Sequence, residues 1–166
     1  AMRQDLVIGM LLNQLLFIAG TGLALLAWLG LPLRHTLQIR LPKLRHLWLA
    51  IVIGISAPCM SWLVMETQSI WVPVNEATTG MEGLDMDLGL GQTLILFALL
   101  PAVCEEILFR GTLQGLLRKS TRPWVRCVVI GLLFGFFHLS VARILPTGML
   151  GIALGLTAWW SRSLIV

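Results

Sequence analysis

The stretch PAVCEEILFRG, residues 101–111, sets two adjacent glutamates and an arginine between strongly apolar flanks. Before it stands QTLILFALL, residues 92–100, and after it TLQGLL, residues 112–117. An apolar run of this length, about 20 residues or more, reads as a transmembrane helix. The three charges then lie inside a membrane span, where each costs roughly 2.5–3.5 kcal/mol on insertion scales. Such residues are usually paired and functional.

Composition agrees with a membrane reading. The chain is 57% hydrophobic and 12% charged, with a mean hydropathy of +0.88. Soluble domains are nearer half apolar and a quarter charged. The net charge of +4 is not spread as a nucleic-acid patch would be. Arg34, Arg40, Lys43 and Arg45 form one basic loop, and Arg118, Lys119, Arg122 and Arg126 form a second. Glu66, Glu76, Glu82, Asp85 and Asp87 share a third polar segment that has no Lys or Arg. This asymmetry predicts two cytoplasmic loops and one outer loop, with no nucleic-acid partner. Cys59, Cys104 and Cys127 lie in or beside apolar stretches without metal-type spacing and predict free buried thiols.

The expected fold is all-α, a polytopic transmembrane helix bundle with about five spans. These cover about residues 6–33, 47–65, 92–117, 124–142 and 144–160. Pro58 is expected to kink or shorten the second. Residues 1–65 thus form two N-terminal helices joined by a basic loop, and 66–91 an acidic outer-surface loop in which Trp71 and Met81 could rest on lipid head groups. Residues 92–166 form the remaining core, and Trp159 and Trp160 read as an interfacial anchor. Ala1-Met2 and the apolar close at Ser163–Val166 suggest a piece of a larger membrane protein. Gly131 and Gly135, and then Gly148, Gly151 and Gly155, have the small-residue spacing of closely packed membrane helices.

Glu105, Glu106, Arg110 and His138 are the ionisable residues well inside a predicted span. Glu105 lies 13 residues before Arg118, or roughly 20 Å, and His138 lies 12 after Arg126, or roughly 18 Å. Antiparallel neighbours would bring this carboxylate and imidazole to one depth. Adjacent residues on a helix project about 100° apart, so Glu105 and Glu106 cannot share a face. Glu106 and Arg110 have the i,i+4 spacing of an internal ion pair, which leaves Glu105 free for chemistry. Phe134, four residues before His138, would wall the same cavity. A desolvated carboxylate of this kind suits a general base for water. His35 and His46 read as loop residues remote from this depth. Zinc is poorly supported by two ligands, since catalytic zinc sites supply three plus water; any divalent metal would sit on Glu105 and His138.

Glu105-Glu106-x-x-x-Arg110 followed by Phe134-x-x-x-His138 resembles the first two motifs of the CPBP, or ABI, family of intramembrane proteases. That family includes the type II CAAX prenyl endopeptidases, and the wider context looks like its bacterial members, some fused to ABC permease subunits. The resemblance covers about residues 92–166. It implies an endopeptidase in which Glu105 activates the attacking water with help from His138, while Glu106 and Arg110 hold the site. It also implies a bacterial plasma-membrane location, a peptide or membrane-protein substrate and an ABC transporter subunit as a candidate partner. The family's later motif, a histidine followed four residues on by Asn or Asp, is absent and would be expected to begin near Ser163–Val166. Two rivals remain: a proton or cation relay built from the same acids, and an inactive, protease-like binding module.

Overall fold

In a computed structural model of the chain, the structure describes residues 2–38, 41, 43–71 and 89–164. The described residues form helices and turns, with no strand among them. Helix α1 runs through residues 2–28, α2 is the short Leu33–Thr36, and α3 is Leu44–Ser69. Helix α4 covers Leu90–Leu116, α5 Pro123–Phe137 and α6 Val141–Ser161. Val7–Trp28 of α1, together with α3, α4 and α6, are long and apolar enough to cross a membrane. At 15 residues, α5 is about 22 Å long and falls short of a ~30 Å hydrocarbon core.

The boundaries differ from the sequence reading for identifiable reasons. The first span stops at Trp28 rather than Leu33, because Gly30 takes a left-handed conformation and Pro32 an extended one. Pro58 neither ends nor shortens α3, which continues to Ser69 and absorbs Glu66 from the expected loop. The acidic residues from Glu76 to Asp87, and Met81 with them, lie outside the described residues. The fourth helix was expected to reach residue 142 with His138 inside it. It ends at Phe137, because Leu139 is left-handed and the peptide groups of His138 and Leu139 close tight turns onto Gly135 and Phe136. Arg143, expected in the outer turn, instead lies in the first turn of α6.

Neighbouring helices pack in the order α1, α4, α5, α6, α3. Helices α1 and α4 run parallel, while α5 and α6 form an antiparallel hairpin with the largest interface in the molecule. Glycines allow that closeness: a Cβ on Gly131 would overlap Ile152, and one on Gly135 would overlap the Ile144 carbonyl. Helix α3 leans on α6 and buries none of its own residues. Its C-terminal end is tied to α6 where Gln68 Nε2 donates to the Val141 carbonyl at 2.8 Å. The core gathers Ile18 and Ala19 of α1, Cys104, Leu108 and Phe109 of α4, and Ile130 and Phe134 of α5.

Helix α4 is not uniformly wound. Residues Ile95–Leu99 and Glu106–Leu113 form wide turns, in which, for example, the Gln114 amide donates to the Phe109 carbonyl five residues back. Such wide turns are rare and often mark functional sites. Residues Asn13–Gly20 of α1, which pack against Leu100–Glu105, are wound the same way.

Candidate active site

The wide turn Glu106–Leu113 faces the interior strongly, with Leu108 through Thr112 all buried. At its start Glu106 pairs with Arg110, Oε1 to Nη1 at 3.2 Å. The Arg110 side chain is fully buried, while Glu106 keeps about a quarter of its side chain exposed. A second nitrogen, Nη2, donates to the Gly151 carbonyl at 3.4 Å. The guanidinium also lies over the Phe134 ring at 4.3 Å. A cation over an aromatic face gains up to about 2 kcal/mol when desolvated, so Phe134 helps Arg110 stay charged in an apolar setting.

Phe134 is the hinge of a ring cluster. It meets Phe109 edge to face at 5.0 Å and His138 edge to face at 5.0 Å, and Phe109 in turn meets Phe137 at 5.4 Å. Phe134 and His138, expected to wall one cavity, are in ring contact at the end of α5. His138 is half-buried at the very end of the helix, and its Nδ1 lies 2.9 Å from the Phe134 carbonyl. A carbonyl can only accept, so Nδ1 carries the hydrogen and the neutral ring keeps its lone pair on Nε2. The imidazole is thereby fixed in the tautomer that can take a proton or hold a water at Nε2.

Glu105 is half-buried and makes no hydrogen bond or ion pair at bonding distance among the described residues. The charges that act on it are those of His138 and then Arg110. The five residues singled out by sequence therefore do collect between α4 and α5. Glu105 and His138 are electrostatic neighbours rather than direct partners. For a metal, no cluster of three or more His, Cys, Asp or Glu exists among the described residues. Glu105 and His138 therefore fall one short of the three protein ligands that catalytic zinc requires, and the donor set does not fit it.

Other expectations are modified. All three thiols are free, but Cys59 is exposed while Cys104 and Cys127 are buried. His35 is exposed as expected, whereas His46 is half-buried with Nδ1 unpartnered. Two residues escaped the sequence reading. Gln114 is buried on α4 and donates to the Gly155 carbonyl at 3.0 Å. Arg126, taken there for a loop residue, is 3% exposed within α5. An amide inside an apolar span was the visible signal for the first; the second carried none.

Residues 89–166 match the family model described as type II CAAX prenyl endopeptidase Rce1-like. This segment, a little under half of the chain, is similar to the Rce1-like family. No curated protein and no solved structure matches the chain. The Rce1-like segment begins at Gly89, one residue before α4, and holds the whole glutamate, arginine and histidine constellation. That family is proteolytic, and with its long apolar helices the chain is a multi-pass membrane protein carrying a segment similar to a protease family.

Proposed function

We propose that the protein is an intramembrane endopeptidase that uses Glu105 to activate the attacking water, with His138 as its partner. The observation that carries this reading is the unequal state of two adjacent carboxylates. Glu106 is engaged by Arg110 at 3.2 Å, whereas Glu105 has no such partner and feels the His138 ring. In the proposed reaction Glu105 takes a proton from water as oxygen attacks the peptide carbonyl carbon. The C–N bond then breaks, and the same proton passes to the departing amine. His138 Nε2 accepts a hydrogen bond from the water and orients it, because Nδ1–H is committed to Phe134. Glu106, Arg110 and Phe134 are positioning residues: they hold the wide turn of α4 against α5. The substrate class that fits is a peptide or membrane-protein segment reaching the site from the cytoplasmic side.

The test is cleavage of a membrane-anchored peptide by the full-length protein in proteoliposomes. Glu105→Gln is expected to lower kcat at least 100-fold, within the 10²–10⁴ range of a general base. Unchanged cleavage by a folded Glu105→Gln protein would overturn the mechanism. Ion flux without cleavage would favour a relay instead.

A further inference from the structure

At the basic end of the molecule the loop after α2 and the ends of α4, α5 and α6 enclose a cavity of about 370 Å³. Arg110, Arg118, Arg126 and Arg162 line it together with Gln114 and His35, and among the described residues no Asp or Glu does. Arg126 is 3% exposed and its Nε has no hydrogen-bond partner; the Nε of Arg110 is in the same state. Arg118 donates to the Thr36 carbonyl at 3.2 Å. Burial, and the like charge of Arg126 beside it, hold its guanidinium below the usual arginine value. Arg126 is buried and Arg118 half-buried, they repel each other, and neither has a counter-charge among the described residues, so one anion between them relieves both costs.

Guanidinium forks match the oxygens of a phosphate, which accepts two hydrogen bonds from each. The cavity lies where α4 stops at Leu116, α5 starts at Pro123 and α6 stops at Ser161, the level of a membrane boundary. Its other walls include Leu37, Ala158 and Leu164, with the half-exposed Trp159 at the rim. A charged floor with apolar sides suits a phosphodiester that continues into a lipid better than a free ion.

We infer that this cavity binds the phosphate of an anionic lipid head group, held by Arg118 and Arg126 and closed by Arg162. The site stands apart from the protease reading, although Arg110 forms a wall common to both. The test reads the thermal unfolding midpoint of the full-length protein in a neutral detergent. Dioleoylphosphatidylglycerol, dioleoylphosphatidylcholine and inorganic phosphate are added separately. The phosphatidylglycerol is expected to raise the midpoint by several degrees and the phosphatidylcholine not to. The rise should shrink by half or more in Arg162→Gln and in Arg118→Gln, but persist in Lys119→Gln, whose exposed charge does not line the cavity. Arg162 is exposed, so its loss should leave the protein folded. An equal, arginine-dependent rise with inorganic phosphate would overturn the lipid as source. A rise equally reduced in Lys119→Gln, or no rise with either phosphate, would overturn the site.

Discussion

Arg110 is held by three unlike contacts: a carboxylate at 3.2 Å, a carbonyl at 3.4 Å and an aromatic face at 4.3 Å. A planar, delocalised cation can serve all three together, and a lysine ammonium cannot. Arg110→Lys is therefore expected to cost about 1–2 kcal/mol of stability, the worth of a desolvated cation–π contact and one charge-assisted bond. Arg34→Lys, at an exposed position, should change the midpoint little. Reversible unfolding of both variants in detergent checks the contrast, and equal midpoints would refute it. The pairing of Glu106 with Arg110 was legible in the sequence because i,i+4 spacing survives in a wide turn. The bond from His138 Nδ1 to the Phe134 carbonyl was not, since it exists only because the helix stops there. Spacing reveals which side chains share a face; it does not reveal which ring nitrogen is taken.

Between elements, the α5–α6 hairpin rests on backbone contact, and its glycines are not equivalent. A methyl at Gly135 would run into the Ile144 carbonyl, and one at Gly151 would press on Phe134 at 2.9 Å. At Gly148 the nearest atom would be 3.5 Å away, an ordinary contact. Gly135→Ala should thus destabilise by about 1–3 kcal/mol, as overpacking does, while Gly148→Ala should be neutral. Thermal unfolding of the two variants separates them; comparable losses would show that the stripe acts as one surface. Apolar length and glycine spacing made the existence and pairing of these helices readable. Their ends were not, because the sequence around Phe136, Phe137 and Leu139 stays apolar through the turn. Only the left-handed conformation of Leu139 marks the boundary.

For the whole molecule, the basic residues Arg118, Lys119, Arg122 and Arg126 collect at one end, while Glu66 lies at the other. The positive-inside tendency predicts that the α4–α5 loop faces the cytoplasm. In a Cys59→Ala background, an impermeant maleimide should label Glu66→Cys in intact cells and Lys119→Cys only after permeabilisation. The reverse pattern would invert the topology. One feature of α4 joins the two ends. The wide turn Glu106–Leu113 amounts to a single residue inserted into an ordinary helix, and it sets the rotation between Glu105 above and Gln114 below. Dropping one residue there would let the helix tighten into an ordinary one with both halves still facing as before, whereas dropping one outside the wide turn would swing one half by about 100° against the other. The gene should therefore absorb the loss of a single in-frame codon within this turn more readily than the same loss elsewhere along the helix.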